Sequence, residues 1–252
     1  MWHVTAGSDS AVLKVVHDGG SGSRWPASSD RADPYYWRRE PCAYESGLLR
    51  AFGAPACRAL VERDDGSVAL WLEDAPEVAT WTPELLEGVA RRLGRAQAAP
   101  LPDEPWLSRG WLRAYLALHD VAGAPFVDRL DALPQTFCHH DFHPANVLGA
   151  NADVVIDWAY CGLGAVGLDA GVLVADGVAD EAFPAELADA VCSAVWRGYL
   201  AGLGDGGWSG DEADVRFAFA HGTALRLSWL PRGERAAWDA TIDFLQRLAS
   251  TA

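Results

Sequence analysis

Over the first seventy residues the apolar side chains come in short β-branched runs broken by turn residues, whereas from Pro83 onward they recur every three or four positions. The runs predict strands and the later spacing predicts helices. Residues 2–17 read as a hairpin, with Ala6-Gly7-Ser8-Asp9 as the turn between Trp2-His3-Val4 and Ala11-Val12-Leu13-Lys14-Val15-Val16. Residues 18–34, rich in Gly, Ser, Asp and Pro, read as a flexible connection. Residues 37–52 carry Tyr44, Leu48 and Leu49 on one helical side, and because proline is tolerated only in a first turn, Pro41 moves the predicted start to Arg39. A second hairpin pairs residues 58–62 with 67–72 across Asp64-Asp65-Gly66. Helices follow over 83–98, with Leu85, Leu86, Val89, Leu93 and Ala96 in phase, and over 106–118. After two short strands come helices over 185–203, 211–230 and 232–248. The pattern is α+β: a small β-rich unit, residues 1–75, on a larger, mainly helical unit, residues 76–252.

A chain of 252 residues can bury a full core. Half of it is hydrophobic, yet no apolar run approaches the roughly 20 residues of a membrane span. The N-terminus has neither a basic region nor an apolar signal core, and the reading is a soluble cytoplasmic protein. Five scattered cysteines without a C-x-x-C pair argue against a disulfide framework or a zinc site. The net charge of −15 argues against nucleic-acid and anionic-membrane partners, which require clustered Lys and Arg. It would draw in cationic substrates, and it equally serves solubility.

Lys14 is the only lysine; every other cationic side chain of the Lys and Arg class is Arg. An ammonium on a flexible stem, placed on a strand, can reach between phosphate oxygens where a planar guanidinium fits less well. The segment His139-His140-Asp141-Phe142-His143-Pro144-Ala145-Asn146, followed by Val154-Val155-Ile156-Asp157-Trp158, supplies the matching chemistry. Phosphoryl transfer needs a carboxylate facing the acceptor hydroxyl, an amide oxygen five residues later for a metal ion, and a carboxylate on the next strand to clamp that metal. Asp141, Asn146 and Asp157 fill these places in order. Two other readings are a His-rich metal site at 139–143 and a polar turn between strands.

These residues resemble the aminoglycoside phosphotransferase and choline kinase-like superfamily, whose loop reads His-Gly-Asp-x-His-Pro-x-Asn followed by Ile-Asp-Trp or Ile-Asp-Phe. His140 stands where the family has Gly. The resemblance implies a bilobal protein-kinase-like fold and an ATP- and Mg2+-dependent transfer to a hydroxyl of a small molecule: an antibiotic, an amino sugar or a sugar-like metabolite. Asp141 would be the catalytic base, and Asn146 and Asp157 the metal ligands. Lys14 would hold phosphates and be anchored by Glu40, with Glu45 as a second candidate. The backbone of Trp71, Leu72, Glu73 and Asp74 would face the adenine, and His139, His143 and Asp169 would support the loop, Asp169 also capping the helix after it. Asp205, Asp211, Glu212 and Asp214, with Trp196, Tyr199, Trp208 and Trp229, would either line an acceptor site or belong to a helix start and the core. Only one short strand precedes the Lys14 strand, so the family's first strand and Gly-rich phosphate loop are expected to be missing. That departure keeps a weakly active or inactive nucleotide-binding protein as the alternative. Protein-kinase activity is disfavoured by the lack of Asp-Phe-Gly and Ala-Pro-Glu segments.

Overall fold

The computed structural model describes residues 1–7, 9–19, 26–118, 126–224, 233 and 236–250. Its first part is an antiparallel sheet of four strands, β1 (Trp2–Ala6), β2 (Asp9–Val16), β3 (Cys57–Glu62) and β4 (Val68–Glu73), in the order β1-β2-β4-β3. β4 takes an interior position because it is the most apolar strand: Val68, Ala69, Leu70 and Leu72 are buried, while four of the five residues of edge strand β1 are exposed. The first hairpin pairs Ala6 with Asp9 across Gly7 and Ser8, the latter outside the described residues, and the ladder of β2 with β4 sets Lys14 opposite Leu70. Of the predicted 18–34 connection, residues 20–25 also lie outside them.

Helix α1 (Arg39–Ser46) starts where Pro41 required but ends earlier than the apolar spacing predicted. Gly47, at φ 75°, takes the left-handed conformation that closes a helix, and its N–H bonds to Tyr44 O; residues 48–52 continue as a 3-10 turn.

The larger part is helical. Helix α2 (Pro83–Gln97) is capped by Thr82, whose hydroxyl accepts from Leu85 N–H. α3 (Trp111–Leu118) is shorter than the predicted 106–118, since Trp106 and Leu107 lie in the buried segment ahead of it. α4 (Phe126–Ala132) had not been anticipated. Strand β5 (Gln135–Cys138) pairs antiparallel with β8 (Gly162–Ala165), and β6 (Val147–Leu148) with β7 (Val154–Val155). Helices α5 (Leu168–Ala179), α6 (Ala188–Asp205), α7 (Glu212–Ala224) and α8 (Ala236–Ser250) complete the chain, and the predicted extension of α7 to residue 230 lies outside the described residues. Every residue of α5 is buried, which is why its sequence shows no polar face. α2 and α6 approach so closely that a Cβ on Gly202 would lie 2.0 Å from Arg91 O. The result is a small antiparallel sheet joined to a mainly helical region, a kinase-like α+β fold. Among the described residues no helix is long and apolar enough to cross a membrane.

Candidate active site

β2, α1 and the segment after β7, where Asp157 stands two residues beyond the strand and not on it, bring three charges together. Lys14 Nζ lies 2.6 Å from Glu40 Oε2 and 2.8 Å from Asp157 Oδ1. Glu40 is 1% exposed, and its other oxygen accepts from Trp158 N–H at 3.4 Å. Burial opposes the charge on Lys14, but the two carboxylates outweigh it and hold the ammonium more firmly protonated than a free lysine. Glu45 is exposed and takes no part in this cluster.

The loop between β5 and β6 carries the other candidates. Asn146 Nδ2 donates to Asp141 O at 2.9 Å and to Asp141 Oδ2 at 3.1 Å, which leaves its Oδ1 as the acceptor for a cation. Ile156 N–H donates to Asn146 O, so the loop and the segment that carries Asp157 are directly joined. His139 ties them again: its Nδ1 accepts from Asp141 N–H at 3.2 Å, so the proton sits on Nε2, which donates to Ile156 O at 2.9 Å.

His140 and Asp157 both have positive φ, 68° and 64°. The family's glycine at position 140 therefore marks a left-handed backbone that His140 keeps. Its ring is stabilised by a bond between Nε2 and Leu163 O at 3.0 Å, and burial, with His139 and Arg39 adding to it, pushes its pKa down to about 3. His143 goes the other way. Burial opposes its charge, yet Asp141 at 3.7 Å, Asp180 at 3.5 Å and nearby Asp176 raise its pKa to about 10, so an imidazolium flanks Asp141. The three imidazoles thus face different partners rather than one ion, and no group of three or more His, Cys, Asp or Glu fit to hold a metal occurs among the described residues.

Asp169 is fully buried in the first turn of α5. It caps nothing there: Gly167 is the N-cap, without a side-chain bond. Its carboxylate instead accepts from His139 N–H at 2.7 Å, His140 N–H at 3.0 Å and Gln97 Nε2 at 2.9 Å. Gln97 Oε1 in turn accepts from Tyr199 OH at 2.6 Å, and that hydroxyl accepts from Gly167 N–H. Tyr199 is 0% exposed and so belongs to this buried network, not to an acceptor site. Asp205 pairs with Arg91, Glu212 with Arg216, and the Asp211 carboxylate accepts from Ala213 N–H, which accounts for most of the acidic group; Trp229 lies outside the described residues. Gln97 was missed, although its signal was present: it continues the buried stripe of Leu86, Val89 and Leu93, where a polar residue must find a partner. Tyr160 was missed as well. It stacks on Trp111 at 4.2 Å, and burial, followed by Asp157 and Asp141, raises its pKa.

Of the four expected adenine contacts, Trp71, Leu72 and Glu73 lie within the ladders that β4 makes with its neighbours, and Asp74 is the first residue beyond them. Asp74 also approaches His3 at 3.5 Å.

A family model described as "Phosphotransferase enzyme family" matches residues 2–204. Among solved structures, an amicoumacin kinase in complex with AMP-PNP and Ca2+ is similar at 14% identity and TM-score 0.59, covering 99% of this chain and 85% of that one. An aminoglycoside phosphotransferase from Streptomyces rimosus is 14% identical with TM-score 0.48, covering 75% and 80%. A choline/ethanolamine kinase family protein from Mesorhizobium loti is 19% identical with TM-score 0.35, covering 83% of each chain. No curated protein sequence matches significantly.

Proposed function

Because this chain belongs to the phosphotransferase enzyme family, we propose that it transfers the γ-phosphoryl group of ATP to a hydroxyl of a small molecule, with Mg2+ as the metal. The observation that carries this reading is the convergence of Lys14, Glu40 and Asp157 next to the hydrogen-bonded Asp141–Asn146 pair. Asn146 Oδ1 and the Asp157 carboxylate, half-exposed, are hard oxygen donors of the kind Mg2+ prefers. Bound there, Mg2+ would offset charge on the phosphates. Lys14 neutralises phosphate oxygens while Glu40 holds its ammonium in place. Asp141 orients the acceptor hydroxyl and takes its proton, and the His143 imidazolium beside it offsets negative charge at the point of transfer. The nucleotide base lies beyond the last rungs of β4, at Asp74 and the residues after it, where the two units divide near residue 75.

An amino sugar, an antibiotic or a sugar-like metabolite is the proposed acceptor, and the net charge of −15 favours a cationic one. The test is a screen of such hydroxyl compounds for ATP consumption and a mass gain of one phosphoryl group, with Asp141→Asn as control. A second reading, a nucleotide-binding protein of the same fold with little or no turnover, is favoured by the Lys14–Asp157 pair, which places a competing cation on a proposed metal ligand. Mg·ATP binding without transfer to any acceptor would select it.

A further inference from the structure

Next to Glu40 on α1 stands Arg39, with 0% of its surface exposed. Among the described residues Arg39 makes no hydrogen bond to a carboxylate. Its Nε donates to Trp106 O at 2.8 Å, Nη1 to Pro34 O at 2.7 Å and to Ala159 O at 3.4 Å, and Nη2 to Asp33 O at 2.6 Å. Backbone oxygens from three separate segments therefore solvate one buried guanidinium. The segments are the connection before α1, the stretch ahead of α3, and the chain two residues after Asp157. A buried charge cannot give up such partners cheaply, and only the fork of Arg can reach all three segments at once.

We propose that Arg39 is the positioning residue of the nucleotide site: it fixes the first turn of α1 to the backbone at 33–34, 106 and 159, and thereby fixes Glu40, and through it Lys14, against Asp157. The inference rests on the phosphotransferase reading for what Lys14 binds. Arg39 and Glu40 are adjacent and both buried, but they act in different directions. Arg39 grips backbone, and Glu40 grips Lys14 Nζ and Trp158 N–H. α1 can then move only together with the segment that follows Asp157. The Lys14–Glu40 pair is a permanent fixture of the site, present before any ligand arrives.

A double-mutant cycle on the full chain tests this, with Arg39→Lys, Glu40→Gln and the pair, reading the Mg·ATP dissociation constant by calorimetry and the melting temperature of each. If Arg39 acts through Glu40, Arg39→Lys weakens Mg·ATP binding on the order of tenfold in the parent, a usual size for coupling between sites. In the Glu40→Gln background it adds little, while its effect on melting temperature is the same in both. Equal weakening in both backgrounds, or none in the parent, overturns the proposal. Amide hydrogen exchange on the unmodified protein decides the matter even where Arg39→Lys does not fold. Residues 39–46 should open with the same protection as 158–161, with or without Mg·ATP, and exchange more than about tenfold faster in 39–46 overturns it. If the parent fails to bind Mg·ATP, the proposed function falls, and the exchange experiment still decides whether Arg39 fixes α1.

Discussion

The loop of residues 139–146 and the Lys14 strand meet at the same point but are held there by different forces. The loop rests on buried hydrogen bonds: Asp169 takes two of its backbone N–H groups, His139 spans it to Ile156, and Gln97 and Tyr199 lock Asp169 from behind. Lys14 lies on a strand whose outer neighbour β1 is exposed, and its ammonium is held by two carboxylates across chain separations that no local structure bridges. Hydrogen bonds of the first kind are direction-specific and insensitive to salt; of the two ion pairs, the one to half-exposed Asp157 answers to a competing cation, while the one to buried Glu40 is screened much less. The loop and the Lys14–Glu40 pair are thus shaped before substrate arrives, and the Lys14–Asp157 contact is the part a ligand can rearrange.

The sharpest way to break this contrast is Asp169→Ala, which leaves the His139 and His140 N–H groups without their buried acceptor and the Gln97 amide with Phe137 O alone among its oxygen acceptors. Each such group costs about 1–3 kcal/mol, and relief of the buried carboxylate returns only part of that. A loss of at least about 3 kcal/mol should appear in urea unfolding, and a loss under about 1 kcal/mol would mean that the loop does not depend on Asp169.

Asp141→Asn should leave both supports intact and remove only the chemistry. Turnover should fall roughly 10²-fold or more, with urea midpoint and nucleotide binding preserved. Turnover within a few-fold of the parent would remove Asp141 from its proposed role.

The loop also carries an acid sensitivity of its own at His140. His140 has a folded pKa near 3 and an ordinary unfolded value of about 6.5, so between these values the unfolded chain takes up a proton that the folded one refuses. Its contribution is complete above about pH 6.5 and is lost as pH falls towards 3, by up to about 1.4 kcal/mol per unit. In His140→Gly, whose glycine accepts the left-handed backbone, the fall in stability between pH 7 and 5 should be smaller by about 2 kcal/mol. Parallel pH profiles for the two proteins would refute this.

Asp157→Ala cuts the Lys14–Asp157 contact and leaves Lys14 to Glu40 alone. Mg2+ should tighten ATP binding to the parent by about tenfold or more and should do nothing for the variant. Calorimetry with and without Mg2+ checks this, and an unchanged metal effect in the variant would exclude Asp157 as a ligand.

The sequence by itself determined whatever depends on neighbouring residues. The 139–146 segment and Ile156-Asp157-Trp158 could be read as one chemical unit because Asp141, Asn146 and Asp157 follow one another at the spacing that phosphoryl transfer requires. The strand runs and α2 followed from periodicity, and Pro41 located the start of α1. Gly47 ended α1 early because a left-handed cap outweighs a continuing apolar pattern. Only the tertiary structure decided that Tyr199 belongs to the loop's support, 102 residues from Gln97, and that Arg39 is held by the carbonyl oxygens of Trp106 and Ala159. A backbone carbonyl has no residue identity to read, and a buried polar side chain shows its partner only once packing has excluded water and made that partner obligatory.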